Sequence, residues 1–300
     1  MQELVALENY DRLDSYLSFK LNISRSKVSK MIKENKVTLN NKKCKGSTSV
    51  SINDVIRYEL INEEYKCDAE DIPLDIIYED EDIIIVNKPN GMVVHPAVGN
   101  KSGTLVNALM NHSKNLSKIN GEFRPGIVHR IDAYTTGLLM IAKNDYAHEF
   151  LQKQLQEKTT TRKYIALVWG VIQNDTGVID APIMRDKNDR KKMTVGSINS
   201  KNAVTHFKVL ERFKDATLIE LKLETGRTHQ IRVHMNYIGH PIVNDPVYGN
   251  RKLIDATGQC LHAKTIGFVH PTTKKYMEFD SELPVCFMNI LNRFRGDSNG

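Results

Sequence analysis

One carboxylate, Asp132, follows the basic pair His129-Arg130 and stands among the apolar residues Ile127, Val128 and Ile131. Thr135-Thr136-Gly137 then supplies turn chemistry, and the β-rich run Leu138 to Ile141 begins a strand. Polar side chains so close to a core need partners, and this arrangement reads as an active-site loop. The competing reading is an Asp that caps its turn and pairs with Arg130, the usual fate of a lone loop Asp. His229, His234 and His240 invite a metal reading that geometry disfavours. His229 and His234 lie five apart, about 140° around a helix, whereas chelation from one face uses i, i+4 spacing. No Glu occupies the general-base position of a His-Glu-x-x-His helix, so no metal is expected. No Gly-x-Ser-x-Gly elbow supports Ser/His/Asp catalysis.

The elements around these residues fall into two bodies. Residues 11–62 read as two short helices and then strands. Asp11 to Leu21 carries an apolar stripe at Leu13, Tyr16 and Leu17, and a second helix starts near Ser24. On that second helix Val28, Met31 and Ile32 share one face while Lys27, Lys30, Lys33 and Lys36 span the other. Val37 to Asn40 alternates like a strand, Asn41-Lys42-Lys43 makes a turn, and Val50 to Leu60 is further strand material. Residues 63–72 are acidic and lack periodicity, as an interdomain linker would.

The second body, 73–292, opens with a hairpin of Ile76 to Tyr78 and Ile83 to Val86, followed by the turn Asn87-Lys88-Pro89-Asn90-Gly91 leading to Met92-Val93-Val94. Helices are expected near Leu105 to His112 and Tyr146 to Gln156, and a strand at Lys163 to Trp169. Strands interrupted by helices without a regular βαβ rhythm argue for an α+β fold. The expected form is a mixed, largely antiparallel sheet flanked by helices, preceded by a small α+β domain. The tail from Arg293 reads as polar and frayed.

Three hundred residues with 40% hydrophobic content can bury a sizeable core. No run of eighteen apolar residues and no signal-like start is present, so no membrane span and a cytoplasmic location are expected. Cys44, Cys67, Cys260 and Cys286 are scattered, which indicates neither a disulfide framework nor a zinc site. The net charge of +6 is unevenly spread: residues 11–60 hold eleven basic against five acidic residues, and residues 61–82 hold one against ten. Basic bodies flanking an acidic junction suit a polyanionic partner, although surface lysines that only keep a protein soluble give the same total. No repeat or coiled-coil heptad implies a partner protein, and a monomer is expected.

The motifs carry a resemblance. His129-Arg-Ile-Asp132 followed by Thr135-Thr-Gly-Leu138 resembles the catalytic signature of the RluA-type RNA pseudouridine synthases, with Ile131 for the usual Leu and with Ala133 and Tyr134 where ribosomal members often carry charged residues. Arg162-Lys-Tyr164 to Gly170, Leu223 to Met235 and Gly239 to Asp245 are similar to that family's other motifs, in the same order. Arg12-Leu-Asp14, Ser24-Arg-Ser26, Val37 to Asn41 and Asp54-Val-Ile56 resemble the small alpha-L (S-four-like) RNA-binding module.

The resemblance implies an isomerase, most similar to the D-type enzymes that convert uridine to pseudouridine in large-subunit ribosomal RNA. It implies base flipping into a closed pocket and no cofactor. Asp132 would be the essential carboxylate, Arg232 the arginine that keeps it ionised, Tyr164 the residue stacked on the uracil, and Arg130 the side chain that fills the vacated stack. His129 and Arg227 would contact RNA near the site, and Arg12, Arg25, Ser26, Lys30 and Lys33 would do so from the first body. A tRNA substrate of the same chemistry, or a non-catalytic RNA-binding assembly factor, are the alternatives. Asp132, Tyr164 and Arg232 together argue against the second.

Overall fold

A computed structural model describes residues 1–60, 68–97, 99–121, 124–189, 191–249 and 251–296. The chain divides into two compact units, Met1–Tyr65 and Lys66–Gly300. Part of the expected linker, 63–67, lies outside the described residues. The rest of it is tied down: Asn107 donates to the Asp68 carbonyl at 2.7 Å, and the Glu70 N–H donates to the Asn107 carbonyl at 3.0 Å.

The first unit contains β1 (Gln2–Val5), α1 (Leu13–Leu21), α2 (Arg25–Lys33), β2 (Val37–Leu39), β3 (Lys42–Lys43) and β4 (Val55–Tyr58), with the sheet order β1-β4-β2-β3. Helix α2 starts where expected because the Ser24 hydroxyl accepts the Lys27 N–H at 3.3 Å. Helix α1 ends at Asn22, whose φ of 50° is the left-handed form that stops a helix. Leu13, Tyr16 and Leu17 of α1 pack with Val28 and Met31 of α2 and Ile56 of β4 in the unit's own core.

The second unit contains β5 (Ile76–Glu79), β6 (Ile83–Lys88), α3 (Leu105–His112), β7 (Thr136–Ala142), α4 (Asp145–Gln156), β8 (Thr161–Trp169), β9 (Thr176–Asp180), β10 (Ile183–Arg185), β11 (Met193–Val195), β12 (Val204–Arg212), β13 (Ala216–Leu223), α5 (Gln230–Tyr237), β14 (Leu261–Val269), β15 (Tyr276–Asp280) and α6 (Val285–Gly296). The main sheet runs β5-β6-β7-β14-β8-β13-β12-β9, with β15 paired to β14, while β10 and β11 form a separate hairpin. It is a mixed α+β architecture: β7 and β14 pair in parallel, and every other pairing among the described residues is antiparallel.

Every residue of β7 is buried, because side chains alternate between two covered faces. Leu139 and Ile141 join α3 and α6 in the larger core, and Leu138, Met140 and Ala142 join Ala147 and Leu151 of α4 in a second cluster. Thr104 and Asn107 form a capping box that fixes the start of α3, and Asn144 caps α4 by accepting the Ala147 N–H at 2.8 Å. Near the C-terminus the expected fraying is not found in the described residues: Phe294 is buried in the main core and Arg295 donates to Glu211 at 2.7 Å.

Candidate active site

The loop before β7 carries Asp132, with its carbonyl accepting the Thr135 N–H at 3.1 Å. The strand that follows needs Gly137: at φ +106° its backbone lies so close to β14 that a Cβ would sit 2.2 Å from the Ala263 carbonyl oxygen. Tyr164 comes from β8 and Arg232 from the first turn of α5. These three side chains, with His129, Arg130 and Arg227, line one cavity of about 510 Å³.

Arg232 organises the centre. Its Nη1 donates to Asp132 Oδ2 at 2.8 Å, while Nε and Nη2 grip Asp245 at 2.7 and 2.8 Å. Asp245 is fully buried and also accepts the backbone N–H groups of Val247 and Tyr248 at 2.8 and 3.0 Å. Burial alone would depress the Arg232 guanidinium, but the bonds and charge of Asp245, then of Asp132, reverse this and hold it above its ordinary value. Burial pushes the Asp245 carboxyl up and Arg232 more than offsets that, leaving it below the usual carboxylate range. One carboxylate thus fixes the arginine, and the arginine presents the other.

His229 stands beside the carboxylate. It caps α5 at φ 56°, a left-handed conformation that costs a non-glycine residue about 1–2 kcal/mol. Tyr248 Oη accepts the Met193 N–H at 2.8 Å and lies 2.8 Å from His229 Nδ1, which fixes the orientation of the imidazole. Its Nε2 lies 3.8 Å from Asp132 Oδ1. Burial first, against the opposing charge of Asp132, holds His229 below its ordinary pKa. His234 instead contacts Thr205 and the Ala181 carbonyl, and His240 the Trp169 carbonyl, so the three histidines serve separate structural partners.

Lys88 supports the loop from beneath. Read from sequence as a turn residue, it is fully buried and its ammonium donates to the carbonyls of Pro89, Met92 and Ala133 at 2.8, 2.9 and 2.7 Å. Three donors meet three acceptors, one of them on the residue after Asp132. Burial pulls its pKa down to about 7, against the charge of Asp132. Its sequence signal was a lysine just before Pro89, separated by Asn87 from the apolar run Ile83 to Val86. Asp245 and Tyr248, also unassigned from sequence, gave less warning, because their partners are remote or backbone.

Tyr164 is buried on the cavity wall, and burial, then the charge of Asp132, raises its phenol despite the opposing Arg162. His129 is held down to about 3 by burial and by Arg162, and its Nε2 accepts the Met140 N–H at 3.2 Å, as a neutral ring must. Arg130 and Arg227 are exposed, and Arg227 is steadied by the Asn202 carbonyl at 2.9 Å.

A family model described as RNA pseudouridylate synthase matches residues 82–237, more than half of the chain, and so contains Asp132, Tyr164 and Arg232. The chain belongs to that family. It is therefore an isomerase that forms pseudouridine in RNA. A model of the S4 domain matches residues 11–56. The chain is 53% identical over 287 residues to the RNA pseudouridine synthase YlyB of Bacillus subtilis (strain 168), covering 95% of this chain and 94% of the relative. It is 42% identical over 298 residues to ribosomal large subunit pseudouridine synthase D of Neisseria meningitidis serogroup A, covering 95% and 79%. The solved structure titled human RNA pseudouridylate synthase domain containing 1 aligns with a TM-score of 0.59 at 25% identity, over 76% of this chain and 96% of that one.

The remaining RNA candidates lie in the first unit, where the arginines are engaged. Arg12 and Arg25 both donate to the buried Asp14, at 2.7 and 3.0 Å, and Asp14 is held well below the usual carboxylate range, first by its bond from Arg12. Ser26 is exposed beside Ser24, Lys30 lies 3.7 Å from Glu34, and Lys33 is exposed. Asp14 thus orders two guanidinium groups whose outer edges remain half open to solvent. No described helix is long and apolar enough to cross a membrane.

Proposed function

We propose that this chain isomerises a specific uridine in large-subunit ribosomal RNA, flipping the nucleotide into the 510 Å³ cavity for attack by Asp132. The observation that carries the reading is the chain of contacts Asp245–Arg232–Asp132. It aims a single carboxylate, held by a fixed cation, into a cavity walled by Tyr164. Asp132 acts as nucleophile toward the sugar or base, or as base toward the sugar. Tyr164 stacks on the uracil, and the exposed Arg130 fills the vacated position in the RNA. Residues 11–62 form the RNA-binding domain, with Arg12, Arg25, Ser26, Lys30 and Lys33 toward phosphate, 63–72 the linker, and 73–292 the catalytic domain. The ribosomal target is supported by similarity to relatives named large subunit pseudouridine synthase D.

The test is to incubate the protein and its Asp132→Asn variant with unmodified large-subunit rRNA and bulk tRNA, then map pseudouridine by carbodiimide-dependent reverse-transcription stops. The expected result is stops in rRNA from the unaltered protein, and a folded, RNA-binding variant that gives none. Stops confined to tRNA, a substrate kept open by Ala133 and Tyr134, would overturn the target. Substantial turnover by Asp132→Asn would overturn the catalytic assignment.

A further inference from the structure

The inner wall of the cavity holds a cation that the roles above leave unused. Arg162 stands two residues before Tyr164 on β8, so strand alternation turns both toward the same face. The residue is only 7% exposed and lines the cavity with Tyr164 and Asp132. Its Nε is enclosed without an acceptor, and among the described residues its guanidinium has no carboxylate partner. The space is shaped around it: a Cβ at Gly226 would lie 2.7 Å from Arg162 Nη1. The adjacent His129 is neutral and offers no charge to balance it. Burying an unpaired cation costs several kcal/mol, so the site is complete only when negative charge arrives.

Two parts of the RNA could supply that charge, its phosphates or the base undergoing reaction. Position separates them. The exposed Arg130, Lys158 and Arg227 stand where a hydrated backbone can pass, whereas Arg162 is enclosed beside the tyrosine proposed to stack on uracil. Cleavage of the C1′–N1 bond sends its electron pair to the base, which becomes a uracil anion with charge shared over N1, O2 and O4. The sugar is balanced by Asp132, either through a new C1′–O bond or by loss of the C2′ proton to the carboxylate. If Asp132 adds to C6 of the ring instead, the displaced pair moves through the conjugated system to O4. Every route leaves negative charge on a carbonyl oxygen of the base. It is discharged when C5 bonds to C1′, as Asp132 leaves as carboxylate or returns the C2′ proton; the proton on C5 is then lost and one is gained at N1, which leaves neutral pseudouridine.

We propose that Arg162 is a catalytic residue whose guanidinium binds a carbonyl oxygen of the flipped uracil and stabilises the negative charge that develops there. The inference rests on the reading of the Asp132 cavity as the uridine pocket.

The test uses the full chain, its Arg162→Met and Arg162→Lys variants, and large-subunit rRNA transcripts made with uridine or with 5-fluorouridine. Consumption of the mapped nucleoside is followed in single-turnover reactions. Removing one preorganised donor to a developing anion costs about 10²- to 10³-fold in rate, so Arg162→Met should lose that much on uridine. Its RNA affinity should stay within about twofold, and Arg162→Lys should recover part of the rate because it keeps the charge. Fluorine acidifies the ring and lowers the need for the cation, so the penalty should shrink on 5-fluorouridine. Arg162→Met should also melt no lower than the unaltered protein, because it removes an unpaired buried charge.

An equal penalty on both RNAs would overturn the proposal. So would lost affinity with a salt slope reduced by about one, the mark of a phosphate contact, or a lowered melting temperature with no change in rate. Asp132→Asn serves as the control: an inactive Asp132→Asn beside a fully active Arg162→Met removes only Arg162, whereas an active Asp132→Asn removes the pocket reading itself.

Discussion

Replacing Asp245 with Asn tests whether Asp132 depends on an arginine that cannot turn. The amide keeps one oxygen, which can still accept Arg232 Nη2–H and the N–H groups of Val247 and Tyr248. Its NH2 would face Arg232 Nε–H where an oxygen now accepts at 2.7 Å, donor against donor. One charge-assisted bond is worth about 1.5–3 kcal/mol, and breaking a buried ion pair by removing one partner costs about 3–5 kcal/mol. Asp132 continues to share the charge of Arg232, which places Asp245→Asn near the lower bound, about 3 kcal/mol. For a unit of this size that is a fall of roughly 6–12 °C in Tm.

A freed guanidinium would swing toward Asp132 and occupy the oxygen lone pairs that the proposed reaction needs, so kcat should fall while RNA affinity holds. The decisive measurement is a double-mutant cycle by urea unfolding. With Arg232→Met already in place, Asp245 is an unpaired buried carboxylate, and Asp245→Asn should then stabilise the protein. The same substitution therefore changes sign between backgrounds. A cost under about 1 kcal/mol in the otherwise unaltered protein, or an equal cost in both backgrounds, would refute the reasoning.

Lys88→Met removes the donor shared by the carbonyls of Pro89, Met92 and Ala133, each worth about 1 kcal/mol when left unmade. Relief of the buried charge offsets part of this, giving a net loss of about 2 kcal/mol, and single-turnover rate should drop at temperatures where the protein remains folded; an unchanged rate would remove Lys88 from the support of Asp132. His262 is buried between Thr136 and Ser281, and burial holds its pKa down to about 4. Between about pH 6.5 and 4 the unfolded chain binds a proton that the native site refuses, so stability should fall as pH drops through this window, by up to about 3 kcal/mol from this residue. Guanidinium melts at pH 7.5 and 4.5 measure it, and a His262→Gln protein that loses stability just as steeply would assign the effect elsewhere.

Much of this architecture was legible because it is written in contiguous residues. The apolar runs of β6 and β7 announce strands covered on both faces, and the capped helices α2 and α4 begin close to where their sequence signals lie. Met92 to Val94, apolar enough for a strand, forms none: the carbonyls of Val93 and Val94 accept the first N–H groups of α3, those of Leu105 and Val106, at 2.9 and 3.0 Å. Strand β1 left little pattern, since three of its four residues are exposed at a sheet edge. At the site, motif similarity gave roles to Asp132, Tyr164 and Arg232, and it included Arg162 and Asp245 without a role, which burial and distance supply; Lys88 lay outside every motif. The basic residues of the first unit illustrate the converse, for Arg12 and Arg25 read as cations awaiting RNA while Asp14 already holds both.

The parallel seam between β7 and β14 also has a bearing on how the enzyme comes into being. Only His262–Thr136 and Ala263–Gly137 are in register there, joining positions 126 residues apart. Hairpins such as β5–β6 and β12–β13 close short loops and can form early, but this pairing must wait for a long loop to close. On a ribosome, Asp132, Tyr164 and Arg232 would all be synthesised before the strand that locks the loop of Asp132 against the rest of the sheet. The order of synthesis thus delays a competent pocket until β14 has emerged, and a nascent chain halted before Leu261 would carry every proposed catalytic side chain yet lack the strand that assembles them.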